Sequence, residues 1–383
     1  YQLEFPLDVD IKKMVASYER LSNYIEIAEP VYKIEQYRNV TDYKKAGSPE
    51  SIKKVNFTPN DTRYNEQWHY NNTGQQGGTV GKDIKLPQAW DLETGKPGII
   101  VAVIDEGIQF DHPDIAANMW PTNGFNFVTN SAVIDPGDHG THTGGTVGAV
   151  SNNNIGVSGV AGGNGTPGSG IKLMTLGVFG STSGSAPNFG APFIWAADRG
   201  AMVAQNSWGY TSPNVFQQLV LDGIDYFVAN GGGTVLKGGI VIFASGNNNS
   251  EANYYPGYYE NVLAVAATNN RDVRSYYSNY GAYVDISAPG GEQSFADDPK
   301  GVLSTVSGGS YEFFQGTSMA CPHVSGVAAL IVAKAGTKLS NDDVKAILMT
   351  TVDNHYPDNL STYAGKLGTG RLNAFKAIQK AQE

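Results

Sequence analysis

I-I-V-A-V-I-D, residues 99–105, is an unbroken run of β-branched and apolar side chains closed by a single carboxylate. A run with no polar alternation is the signature of a strand buried on both faces, as in a parallel sheet covered by helices on either side. Working outward, 99–104 is the first of six strand candidates, followed by 172–178, 202–206, 240–244, 262–267 and 284–287. Helical patterns fall around and between them at 87–93, 139–150, 192–199, 216–229, 317–335, 341–351 and 373–381. Strands alternating with helices imply right-handed crossovers and a doubly wound, mainly parallel α/β sheet. Asp105 then lies at the carboxyl end of its strand, the edge where open α/β sheets place their sites.

Two further short peptides carry reactive side chains beside glycine. D-H-G-T-H-T-G-G (138–145) contains His139, and Gly140, Gly144, Gly145 and Gly148 would let its helix approach its neighbours closely. G-T-S-M-A-C-P-H (316–323) places Ser318 at the start of a long apolar helix, where Pro322 is tolerated because first-turn amides have no helical partner. A serine hydroxyl becomes a nucleophile only when a histidine takes its proton, and that histidine needs a carboxylate to fix its tautomer. The order Asp105, His139, Ser318 differs from the orders used by chymotrypsin-like enzymes and α/β-hydrolases. Cys321, on the same helix, reads as a packing residue rather than a nucleophile.

Composition narrows the field. A net charge of −10, from 26 basic and 36 acidic residues, argues against nucleic acid as a partner, since nothing neutralises a row of phosphates. One cysteine in 383 residues excludes an internal disulfide framework, and a chain this long buries enough surface to need none. No apolar run approaches the ~18 residues of a transmembrane segment. The chain opens at Tyr1 without a charged-then-apolar leader, so any export signal is expected to be absent from it.

The three peptides and their order resemble the subtilisin-like serine proteases, the subtilases, over about residues 59–381. The resemblance implies a secreted serine endopeptidase acting on protein or peptide substrates through an acyl-enzyme, and a monomer is expected. It implies Asp105, His139 and Ser318 as the triad, with Asn247 in V-I-F-A-S-G-N-N-N (241–249) as oxyanion donor beside the Ser318 amide. Q-N-S-W-G-Y (205–210) resembles the strand that pairs with substrate backbone, so Ser207, Trp208 and Gly209 are expected to line the cleft. Ala244, Ser245, Gly246, Pro256 and Gly257 are expected to wall a roomy apolar pocket, with a cis bond before Pro256. A structural Ca2+ site is implied, held by Asp61, Asp114, Asn153 and the carbonyls of Val150, Ile155 and Val157, an oxygen set suited to a hard cation.

Residues 1–37 read as a separate small α+β unit: a strand over 1–5, an amphipathic helix over 10–21 and an alternating strand over 24–37. It resembles part of a subtilase propeptide, an inhibitor whose end runs into the cleft, and 38–56 reads as a cleavable linker before a catalytic domain over 57–383. Two departures stand out: Glu106 where the family has Ser or Thr, and H-T-G-G where H-V-A-G is commoner. Glu106 opens one rival reading, a catalytically inactive subtilase fold acting as a binding protein. A metallohydrolase built on His139, His142 and Asp138 is the other; it leaves Asp105 and Ser318 without a role.

Overall fold

The computed structural model describes residues 11–19, 29–37, 57–180, 184–337, 339–359 and 361–383. The expected strand over 1–5, the ends of the helix over 10–21, the front of the strand over 24–37 and the linker over 38–56 lie outside them. In chain order the elements are α1 (Ile11–Glu19), β1 (Ile34–Gln36), α2 (Leu86–Trp90), β2 (Ile100–Asp105), β3 (Met119–Asn126), α3 (Asp138–Gly148), β4 (Lys172–Gly177), α4 (Ala191–Ala197), β5 (Val203–Asn206), β6 (Trp208–Tyr210), α5 (Gln218–Asn230), β7 (Ile240–Ala244), β8 (Leu263–Thr268), β9 (Ile286–Pro289), β10 (Val302–Val306), β11 (Ser310–Phe314), α6 (Thr317–Ala335), α7 (Asn341–Thr350) and α8 (Ala374–Lys380).

Seven strands form one parallel sheet in the order β3, β4, β2, β5, β7, β8, β9. The two faces separate along β2 with the period of two that a strand imposes. Val101 and Val103 pack into a core with α6, whereas Ala102 and Ile104 join Phe193, Ile224 and Phe227 of α4 and α5 on the other side. Each fully buried aliphatic side chain contributes roughly 1.5–3 kcal/mol over its exposed state. The chain turns back across β2 to enter β5, so the carboxyl end of β2 is the crevice of the sheet.

Three features of this scaffold were not in the sequence reading. β3 is an edge strand with a register shift between Met119 and Gly124, and it carries Pro121, which an edge tolerates and a central strand does not. The strand expected over 284–287 begins two residues later, as β9. β10 and β11 form a hairpin that buttresses α3: Ser304 Oγ donates to the His142 carbonyl (2.9 Å) and Thr305 Oγ1 to the Thr141 carbonyl (2.8 Å). Gly145 permits that approach, because a Cβ there would lie 2.0 Å from Thr305 Oγ1.

The expectation that no stretch meets the length and composition of a membrane span needs correcting. Thr317–Ala335 meets both, with 94% of its apolar window buried inside the protein. It is a core helix, apolar all round because it is covered all round. β1 is shorter than the alternating pattern suggested: residues 29–33 are not in a strand, and 34–36 pair antiparallel with β6. An extended segment is counted as a strand only where a partner takes its backbone groups.

Candidate active site

Asp105 closes β2 and is fully buried. Its Oδ1 accepts from His139 Nδ1 (2.7 Å) and from the Glu106 amide (2.7 Å). A carboxylate only accepts, so Nδ1 carries a proton, and in the neutral imidazole the lone pair is then on Nε2. Among the described residues that Nε2 is buried and has no hydrogen-bond partner. His139 lies in the first turn of α3, and the Glu106 carboxylate reaches back to accept from its backbone amide (2.9 Å). Glu106 thus satisfies an otherwise orphan amide and places negative charge at a helix amino terminus. Gly137 makes room for it, since a Cβ there would sit 2.1 Å from Glu106 Oε2. The departure at Glu106 therefore displaces no reacting group.

Ser318 is the second residue of α6 and is buried. Its Oγ donates to the Ser207 carbonyl (3.0 Å) rather than to His139. Asn247 follows the turn after β7, where Gly246 takes φ +108 and packs so tightly that a Cβ would meet Asn279 Nδ2 at 2.3 Å. Asn247 Oδ1 accepts from both the amide (2.9 Å) and the hydroxyl (2.8 Å) of Thr317. Two donors on the oxygen settle which way the carboxamide faces, and its Nδ2 points into the site.

The chain's own residue 37 fills that site. Asn247 Nδ2 donates to the Tyr37 carbonyl at 2.6 Å, and the Tyr37 amide donates to the Ser207 carbonyl at 3.1 Å. β1 continues the ladder outward, with Gln36, Glu35 and Ile34 opposite Trp208, Gly209 and Tyr210. Gln36 Nε2 approaches Asp105 Oδ1 at 3.4 Å. The Tyr37 side chain is 3% exposed, and its hydroxyl donates to the Tyr210 carbonyl at 3.4 Å. Burial holds its phenol well above the ordinary range, with Tyr283, Glu35 and Tyr254 adding to the rise. A Cβ on Gly209 would lie 2.0 Å from the Tyr37 hydroxyl, and one on Gly316 would lie 2.4 Å from the Tyr37 carbonyl oxygen.

Of the expected cleft residues, Ser207 and Gly209 meet Tyr37 directly. Trp208 lines the cleft with backbone alone and needs correcting. Its indole is in the core against Phe189 and Phe243, donating to the Ile104 carbonyl (2.9 Å). Alternation along a strand sends it to the face opposite its neighbours. Ser245 accepts from the Tyr283 hydroxyl (3.3 Å), a Cβ on Gly257 would lie 3.0 Å from the Ala244 carbonyl, and the bond between Tyr255 and Pro256 is cis. The sequence reading missed Gly316, Thr317, Tyr254, Tyr283 and Gln205. Gly316 and Thr317 were legible as neighbours of Ser318; the tyrosines come from loops with no pattern of their own.

His142 does not join His139. Its Nε2 meets the carbonyls of Val302 (3.0 Å) and Glu312 (3.2 Å), and its ring stacks on Phe314. Cys321 is buried and its thiol is pushed up to about 12 by desolvation, which suits packing rather than nucleophilic attack.

The loop after α3 gathers the expected calcium ligands. Asp61 accepts from the amides of Asn152 (3.0 Å) and Asn153 (2.9 Å), and Asp114 from Asn153 Nδ2 (2.7 Å) and the Val157 amide (2.8 Å). Burial raises both carboxyls, Asp114 to about 7, and Asp61 adds to that rise. The carbonyl oxygens of Val150, Ile155 and Val157 accept no hydrogen bond from the described backbone. No cluster of three or more His, Cys, Asp or Glu side chains suited to a metal occurs among the described residues. Two buried carboxylates beside free carbonyls nevertheless fit an oxygen-preferring cation, because carbonyls supply the remaining ligands.

A parallel α/β sheet with this site at its carboxyl edge is the framework of a serine-type endopeptidase, and the comparisons agree. A family model described as the subtilase family matches residues 96–370, and the chain belongs to that family. Thermitase from Thermoactinomyces vulgaris is 36% identical over 324 residues, covering 84% of this chain and 100% of that protein. An extracellular protease from Xanthomonas campestris pv. campestris is 32% identical, covering 87% of this chain and 58% of its own length. Among solved structures, a protease from Pseudoalteromonas arctica matches with TM-score 0.71 and 35% identity, over 85% of this chain and 99% of that one.

Proposed function

We propose that this endopeptidase is secreted, uses Ser318 as nucleophile, and is held in check by residues 1–37 acting as a propeptide. The observation that carries the reading is the Tyr37 carbonyl on Asn247 Nδ2, with the Tyr37 amide on Ser207. That is the posture of a peptide substrate whose next bond, between Tyr37 and Arg38, is the one to be cut. Ser318 turns about its χ1 from the Ser207 carbonyl toward the unpartnered His139 Nε2, which takes its proton as the oxygen attacks. Asp105 stays ionised and stabilises the imidazolium, while Asn247 and the Ser318 amide hold the oxyanion. His139 then protonates the leaving amine, and a water activated the same way releases the acyl group. The buried Tyr37 points to substrates with a large aromatic residue at that position. Secretion is supported by the extracellular relative.

This reading is tested on the chain itself. Wild-type protein is expected to clip after Tyr37, leaving Arg38 as a new amino terminus, while Ser318→Ala stays intact under the same conditions. Equal clipping of both, read by intact mass, would show that the cut is made by another protease.

Asp61, Asp114, Asn153 and the carbonyls of Val150, Ile155 and Val157 would hold Ca2+, which stabilises the fold and takes no part in the chemistry. A ligand confined to the native state adds about 2.7 kcal/mol at a hundredfold excess over Kd. Chelation is therefore expected to lower the melting temperature by about 4 °C, the ~2.7 kcal/mol divided by a melting entropy of roughly 0.7 kcal/mol/K for a domain of about 330 residues. Asp114→Ala should remove that sensitivity; a wild-type melting curve indifferent to chelator would reduce the loop to a turn.

A further inference from the structure

We propose that Gln205 is a positioning residue for the nucleophile, acting through the hydroxyl of Ser207. The inference rests on Ser318 being the nucleophile. Gln205 lies on β5 and Ser207 just beyond it, two residues apart and so on the same side of an extended chain. Gln205 Nε2 donates to Ser207 Oγ at 2.6 Å, and Ser207 Oγ donates to the Ser318 carbonyl oxygen at 2.9 Å. Gln205, Ser207 and Ser318 are all 0% exposed, so among these groups no water competes for the bonds.

A hydroxyl has one proton and two lone pairs. With the Gln205 amide occupying a lone pair, the Ser207 proton is directed at the Ser318 carbonyl. Without that donor the hydroxyl is free to rotate toward another acceptor, and the Ser318 carbonyl loses its tether. The backbone of Ser207 serves the other side of the reaction: its carbonyl accepts from Ser318 Oγ (3.0 Å) and from the Tyr37 amide (3.1 Å). One residue thus spans substrate backbone and nucleophile, and Gln205 sets the direction of its hydroxyl. Gln205 Oε1 is buried without a hydrogen-bond partner among the described residues, an unusual state for a side chain kept only for packing.

The test is a double-mutant cycle read by steady-state kinetics on a peptide substrate. Gln205→Leu is expected to lower kcat about tenfold, the factor one neutral hydrogen bond is worth, with KM within about twofold. In the Ser207→Ala background the same substitution should change kcat less than about twofold, because the bond it served is already gone. Gln205→Met, unbranched like glutamine, repeats the measurement should the leucine variant fail to fold. A full tenfold loss in the Ser207→Ala background, or wild-type kcat in Gln205→Leu or Gln205→Met, would overturn the relay. The nucleophile assignment is judged apart from it: that assignment fails only if Ser318→Ala keeps its activity, whatever Gln205 does.

Discussion

Ser318→Ala, His139→Ala and the double variant are each expected to lose on the order of 10^6 in kcat, and the three losses to be nearly equal. The equality is the informative part. In the proposed mechanism His139 Nε2, with Nδ1 tied to Asp105 at 2.7 Å, serves only to accept the Ser318 proton. Once either partner is gone the other has nothing to do, and removing it costs little more. Independent contributions would multiply, putting the double variant far below either single one. Steady-state kcat on a peptide substrate, with melting temperatures to confirm folding, distinguishes the two outcomes. A substantial residue of activity, roughly 10³ over water, should survive from oxyanion binding and substrate positioning.

The second large effect falls on that oxyanion binding. Asn247→Ala is expected to lower kcat by about 10²–10³ while leaving KM nearly unchanged, because the bond strengthens as the carbonyl oxygen gains charge. The pair of Thr317 donors on Asn247 Oδ1 makes a sharper comparison available. Asn247→Asp keeps that acceptor but turns the inward Nδ2 donor into an oxygen facing an oxyanion. It should lose at least as much activity as the alanine variant, although it is nearer in shape. An aspartate variant more active than the alanine variant would mean that the carboxamide is a spacer. Self-cleavage after Tyr37 should slow in the same order.

Much of this arrangement was legible because strong local rules agree. α6 was read at 317–335 from the mostly apolar peptide that follows Ser318, and it runs over those residues. The buried strands stood out because apolar residues dominate them, with isolated polar residues such as Thr175 and Gln205 inside them. β3 was not legible: Pro121, Thr122 and Asn123 look like a loop, and an edge strand with a shifted register keeps little of the alternation that marks a strand. The hairpin of β10 and β11 is closed by Ser307, Gly308 and Gly309, but β10 is buried throughout and β11 passes from exposed to buried, neither with a clean period. The error at Trp208 is of another kind. The peptide was read for its likeness, and the alternation that sends its indole to the core was not applied.

Side-chain direction is what sequence withheld at the site. As a departure from the family pattern Glu106 opened the reading of an inactive fold, whereas its carboxylate folds back onto the His139 amide. Spacing could place a cut somewhere after residue 37, but only three dimensions put the Tyr37 carbonyl on Asn247. Gln205 opens the Q-N-S-W-G-Y peptide with no role read for it there, and becomes meaningful through one 2.6 Å bond.

The central claim is that Ser318 is made nucleophilic by His139. A fluorophosphonate probe reacts only with an activated serine, so labelling followed by peptide mass mapping reads the claim directly. One adduct on the peptide containing Ser318, lost in His139→Ala, is the predicted result. An adduct on another residue, or undiminished labelling of Ser318 in the His139→Ala variant, would contradict it.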